Sequence, residues 1–133
     1  MKKAGVLNAR LSQVIAAMGH ADQLVICDSG LPIPRDRQCV DLALTKNIPR
    51  FLEVVRVVLQ ELQVEGAVVA QEIESASPTI LKELQSLLGE IKLRRVSHEE
   101  FKQITASSQN TAFVRTGEAS PYANVILISG VTF

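Results

Sequence analysis

Short apolar runs alternate with amphipathic stretches of helical period along the whole chain, and this alternation constrains the fold more than any other feature. Leu11, Val14, Ile15 and Met18 recur at i, i+3, i+4 and i+7, one stripe of a helix. Asn8 is placed to cap its start, and Gly19 sits where a helix end favours a left-handed residue. Leu24 to Asp28 reads as a buried strand and Val40 to Leu44 as a second, with Pro32 and Pro34 keeping the segment between them extended. "RFLEVVRVVLQELQ" presents Phe51, Val54, Val55, Val58, Leu59 and Leu62 on one wide helical face, with Pro49 suited to its first turn.

The pattern continues to the C-terminus. Ala67 to Ile73 reads as a strand. "SPTILKELQSLLG" reads as a helix capped by Ser77, opened by Pro78 and closed by Gly89, with Ile80, Leu84, Leu87 and Leu88 on its core side. "IKLRRV" alternates like a half-exposed strand, and Lys92, Arg94 and Arg95 suit a solvated sheet edge. "SHEEFKQIT" opens with Ser97 and Glu100 at capping-box spacing. "TAFVRTGE" and "NVILISGV" supply two more strands. Alternating strands and helices predict an α/β domain with helices on both faces of a largely parallel or mixed sheet. The 133 residues fit one domain, 1–133, with room for a core that needs neither disulfide nor metal.

Composition narrows the function classes. Basic and acidic residues balance at 14 each, so the chain lacks the positive field that draws proteins to phosphate backbones, and no nucleic-acid partner is expected. No apolar run has the length of a membrane span, and the start "MKKAGVLNARLSQ" lacks the apolar region of a secretion signal. Cys27 and Cys39 form no CxxC pair and read as reduced thiols, which suits a cytoplasmic location. There is no Walker loop, GxGxxG, HExxH, GxSxG or zinc spacing, so neither a cofactor nor a metal is expected.

Acid-base and hydroxyl-binding groups remain. His20 emerges just past a predicted helix end, where the dipole favours imidazolium, and His98 follows a predicted N-cap, where it disfavours imidazolium. Asp28 lies at the carboxyl end of a predicted strand, where open α/β sheets bind ligands. Each residue also has a plain structural reading. His20 suits a surface or capping group, Asp28 a turn former, Tyr122 and Asn124 a turn closure, and Lys102 a solvated lysine one turn after His98.

Taken in order, "GHADQLVICDSGLPIP", "SHEEFK" and "RTGEASPYANVILISGVTF" resemble the motifs of the D-ribose pyranase family, and "MKKAGVLN" is similar to that family's start. The resemblance covers nearly the whole chain and is weakest around residues 75 to 95. It implies a three-layer α/β/α sandwich and interconversion of the pyranose and furanose forms of free D-ribose. His20 would be the general acid, and Asp28, His98, Tyr122, Ala123 and Asn124 would bind the sugar, with Lys102 nearby. It also implies a homo-oligomer, a decamer of two five-membered rings with sites shared between neighbouring subunits. Two other readings use the same residues: a fucose mutarotase, and a non-catalytic sugar-binding or regulatory subunit of a ribose transport system. The "DSGLPIP" run and His98 favour the ribose branch over the fucose branch.

Overall fold

The computed structural model describes residues 1–133. Its elements are α1 (Ala9–Ala17), β1 (Gln23–Cys27), β2 (Gln38–Asp41), α2 (Phe51–Val58), β3 (Val64–Ala70), α3 (Ile73–Ala76), α4 (Pro78–Leu88), β4 (Lys92–Val96), α5 (His98–Ser107), β5 (Thr111–Arg115) and β6 (Val125–Ser129). The six strands form one sheet in the order β2-β5-β1-β6-β3-β4. β6 runs antiparallel to both its neighbours, β1 and β3, while the other pairings are parallel. Five strands therefore point one way, and only β6 begins at their carboxyl edge. The sheet is mixed, with helices on both faces, as the alternation predicts.

Strand period divides the core. Leu24 and Ile26 of β1 join α1, α2 and α4 in a cluster of 23 buried residues, while Val25 and Cys27 face Phe101 of α5 in a second cluster of 9. β3 divides in the same way, with Ala67 and Val69 on one side and Val68 and Ala70 on the other. Each central strand is buried on both faces, which explains their unbroken apolar runs.

Local chemistry sets most boundaries. The Leu11 N–H donates to Asn8 Oδ1 at 2.9 Å, so Asn8 caps α1 as its position suggests. The Glu100 N–H donates to Ser97 Oγ at 3.1 Å at the start of α5. Several expectations need correction. The left-handed residue after α1 is Ala21 (φ 66), not Gly19, which instead donates its N–H to Asp22 Oδ2 at 2.8 Å. β2 lies three residues earlier at its far end than the apolar pattern suggests: it is an edge strand held only by β5, and Leu44 beyond it is 80 % exposed. β3 begins at Val64 and ends at Ala70, so Ile73 opens α3 instead. Pro49 precedes α2, whose N-cap is Arg50. Ser77 does not cap α4 with its side chain, and Leu81 joins Leu84 and Leu88 in the core, while Ile80 and Leu87 pack against it partly buried. β4 is a sheet edge with mostly exposed residues; Arg94 pairs with Glu100 at 2.8 Å and Arg95 with Glu74 at 2.6 Å.

Candidate active site

The carboxyl edge of the sheet gathers four of the polar residues singled out in the sequence. Asp28 follows β1, His98 follows β4, and Tyr122 and Asn124 precede β6, whose reversed direction brings its start to this edge. They line one cleft of about 280 Å³ together with Gly30, Leu31, Pro32 and Pro121. Clefts of about 560 and 330 Å³ lie elsewhere, but this one has a carboxylate, an amide, an imidazole and a phenol converging on it.

Asp28 is fixed from several sides. The N–H groups of Gly30 and Leu31 donate to its Oδ1, each at 2.9 Å, forming the turn that the Ser29–Gly30 sequence suggests. Asn124, 1 % exposed, clamps it reciprocally: the Asp28 N–H donates to Asn124 Oδ1 at 2.8 Å, and Asn124 Nδ2 donates to Asp28 Oδ2 at 3.1 Å. Both carboxylate oxygens are thus oriented, and each retains acceptor capacity.

His98 is held through its backbone. Its N–H donates to both carboxylate oxygens of Glu72 at 3.0 Å. That bond is the main reason the Glu72 carboxyl is held below its usual range. The imidazole meets the Tyr122 ring edge-on, with centroids 5.0 Å apart, and stacks against Phe101 at 6.4 Å. Its Nδ1 is buried without a hydrogen-bond partner in the chain, an uncommon state for a polar atom.

Tyr122 adopts φ 60, a left-handed conformation that costs a non-glycine residue about 1 kcal/mol or more. Its turn is tied down on both sides: the Asn124 N–H donates to the Tyr122 carbonyl at 2.8 Å, and the Ser77 hydroxyl donates to the Pro121 carbonyl at 2.8 Å. Behind the turn lies Glu118, 2 % exposed, which accepts from Arg50 Nε at 3.0 Å, the Phe51 N–H at 3.1 Å and the Ser120 hydroxyl at 2.9 Å. Burial pushes this carboxyl up, but those donors outweigh it and hold the group below its ordinary value.

The remaining candidates sit elsewhere. Ala123 is fully buried beneath the turn and does not line the cleft. Lys102 is on α5, outside the lining, with Nζ 2.9 Å from Glu99. His20 is at the opposite edge of the sheet. It precedes β1, whereas Asp28 follows it, and a five-residue strand separates its ends by about 15 Å. There His20 Nε2 lies 3.0 and 3.1 Å from the two Glu65 oxygens, beside a second cleft of about 310 Å³ formed with Gln63, Gly130 and the C-terminal residues. Within one chain His20 and the Asp28 cleft do not meet.

Both thiols are free. Burial, with a contribution from Asp28, pushes the Cys27 thiol far up, so it is a packing residue rather than a nucleophile. Sequence reasoning missed Glu65 and Glu72, which belong to no motif or periodic face, and missed the roles of Ser77, read only as a cap, and of Glu118, silent within its motif, because each acts on a residue distant in sequence. No helix is long and apolar enough to cross a membrane.

Comparison with known proteins extends these observations. The sequence profile of the RbsD / FucU transport protein family matches residues 1–132. The D-ribose pyranase of Actinobacillus pleuropneumoniae serotype 7 (strain AP76) is 56 % identical, with 100 % of both chains covered. That of Coprothermobacter proteolyticus is 53 % identical, again over 100 % of both. The structure of Bacillus subtilis RbsD complexed with D-ribose superposes with a TM-score of 0.94 at 41 % identity, covering 100 % of each chain. The fucose mutarotase of Streptococcus pneumoniae, in complex with L-fucose, has a TM-score of 0.76 at 20 % identity over 100 % of both chains, a likeness of fold alone. With its mixed sheet, its two-sided helical layers and a profile match over nearly its full length, the chain belongs to the RbsD / FucU transport protein family.

Proposed function

We propose that the protein interconverts the pyranose and furanose forms of free D-ribose. The observation that carries this reading is full-length identity above one half to D-ribose pyranases, joined to a cleft whose polar groups suit a small polyol. The close structural relative with bound D-ribose supports the same substrate.

The reaction requires only proton transfers. A base removes the anomeric hydroxyl proton, the bond between C1 and the ring oxygen breaks, and an acid protonates that oxygen to give the open aldehyde. Rotation and attack by the other hydroxyl close the second ring, with the proton transfers reversed. General acid-base catalysis contributes about 10²–10⁴-fold, enough for a reaction that already proceeds slowly in water. Asp28 accepts sugar hydroxyls with an orientation fixed by Asn124, and Tyr122 and Asn124 complete the binding edge. His98 Nδ1, unpaired within the chain, is available to a sugar hydroxyl. Ala123, buried beneath the turn, sets Tyr122 and Asn124 on either side of it, and Lys102 lies one turn along α5 from His98.

His20 is the general acid in this reading, and it reaches the sugar from a neighbouring copy. Two features support assembly: the separation of His20 from Asp28 within one chain, and the exposed apolar side chains Val131 and Phe133 beside the His20 cleft. We assign the assembly as a decamer of two five-membered rings, each copy one domain spanning 1–133, working in the cytoplasm.

A non-catalytic sugar-binding role remains a distinct second reading, favoured by the transport designation of the family. Saturation-transfer proton NMR on D-ribose with catalytic amounts of protein separates the two. Faster exchange between pyranose and furanose signals, lost in His20→Ala, is the expected result. Line broadening without faster exchange in the wild type would assign a binder instead.

A further inference from the structure

The amino edge of the sheet holds a second carboxylate–imidazole arrangement that the ring-opening chemistry above does not name. Glu65 sits where the β3–β6 pairing slips: Val64 pairs with Ser129 and Gly66 with Ile128, leaving Glu65 as the extra residue of a bulge. Bulges re-aim a side chain relative to its strand. This one places both Glu65 oxygens within 3.1 Å of His20 Nε2.

The surroundings are built around that contact. A Cβ on Gly130 would stand 3.1 Å from Glu65 Cβ and 3.4 Å from Glu65 Oε2, so a side chain there would crowd the carboxylate. The His20 loop is pinned on both flanks: the Ala21 N–H donates to the Ser129 carbonyl at 2.8 Å, and the Gly19 N–H donates to Asp22 Oδ2 at 2.8 Å. An exposed ion pair alone is worth about 0–1 kcal/mol and explains neither the bulge nor the cleared position.

An ionised carboxylate only accepts hydrogen bonds, so the hydrogen of this contact belongs to His20 Nε2. We infer that Glu65 and His20 act as a dyad: Glu65 holds the hydrogen on Nε2 and thereby makes Nδ1 the atom that exchanges a proton with the sugar ring oxygen. Glu65 is a positioning residue in this scheme, and the inference rests on the assignment of His20 as the general acid. Nδ1–H of the imidazolium gives its proton to the ring oxygen as the bond from C1 breaks. On reclosure the neutral Nδ1 takes back a proton from the attacking hydroxyl. Nε2 keeps its hydrogen throughout, and the Glu65 carboxylate stays ionised beside it, the orienting role that a carboxylate plays behind a catalytic histidine.

The test uses the full-length protein labelled with nitrogen-15 histidine; the chain has only 2 histidines, so His20→Ala assigns the signals. Magic-angle-spinning NMR at alkaline pH should show neutral His20 with its hydrogen on Nε2, and a mixture of tautomers in Glu65→Ala. Ribose exchange by saturation transfer should show kcat lower by about 10- to 100-fold in Glu65→Gln and Glu65→Ala with KM within about twofold of wild type, because the binding cleft is untouched. A wild-type hydrogen on Nδ1, an unchanged tautomer in Glu65→Ala, or an unchanged kcat would overturn the dyad. Wild-type protein that fails to speed ribose exchange would instead overturn the function on which it rests, and the tautomer would still be read separately.

Discussion

Replacing Asn124 by aspartate turns the clamp on Asp28 into a pair of carboxylates without changing side-chain shape. One oxygen still accepts the Asp28 N–H, now held at 2.8 Å. The other replaces the amide nitrogen 3.1 Å from Asp28 Oδ2. Two unit charges at that distance repel by about 5 kcal/mol at an effective dielectric of ~20. Asp28 is half-buried at a solvent-facing cleft, so screening reduces the figure to about 2–3 kcal/mol. The pair avoids that cost by keeping one proton between its two groups, as two carboxylates in contact do. The folded pair then binds a proton more tightly than unfolded aspartates do. Its stability relative to wild type is therefore present at acid pH and is lost as pH rises. Urea unfolding of wild type and Asn124→Asp at one protein concentration should give a gap in midpoint of about 1–2 M at pH 8 that shrinks steadily as pH is lowered to about 4.5. A gap that does not change with pH would refute the reciprocal clamp.

Glu118→Gln should destabilise the fold by about 2–4 kcal/mol at neutral pH, because an amide cannot accept from Arg50, Phe51 and Ser120 as the carboxylate does. The folded Glu118 pKa is lowered, so its stabilisation is present above the unfolded value and is lost as pH falls through the lower folded value. An acid unfolding limb identical in wild type and variant would remove Glu118 from that account. Asp28→Asn should weaken ribose binding, measured by titration calorimetry, and also lower the urea midpoint, since it removes the acceptor of Asn124 Nδ2; unchanged affinity would remove Asp28 from the site. Thiol labelling of the native protein should leave Cys27 unmodified until unfolding, since it is fully buried and its thiolate is disfavoured; rapid native labelling of Cys27 would contradict the packing around β1.

Much of this fold was legible because its central strands are buried on both faces and its helices carry stripes of regular period. Leu24 to Cys27 stand out for that reason, and Asn8 and Ser97 announce their helices by side-chain chemistry that acts within three residues. Legibility fails where local pattern and tertiary pairing disagree. β2 follows the register of β5 rather than its own apolar residues. α4 buries Leu81 beside Leu84 and Leu88, where it packs against α2 and α3 as well as the sheet, a contact that its own period does not record. At the site, the residues of one edge were legible as candidates, but which edge each occupies depends on the reversed direction of β6 and on strand order. The supporting acids were silent for a simpler reason. Glu118 meets Phe51 across 67 residues, and Glu72 meets His98 across 26, so no local pattern records either contact.

The central claim is that His20 and the Asp28 cleft act together although one chain holds them at opposite edges of its sheet. Subunit mixing tests this most directly. His20→Ala and Asp28→Asn proteins would each be assayed for ribose exchange alone, then unfolded together, refolded in equal amounts and assayed again. If each site takes His20 from one copy and the cleft from another, about a quarter of the sites in random mixed rings regain both groups, and activity returns to about that fraction of wild type. If mixing restores nothing while each variant still assembles as wild type does, the site is not shared and the account is wrong.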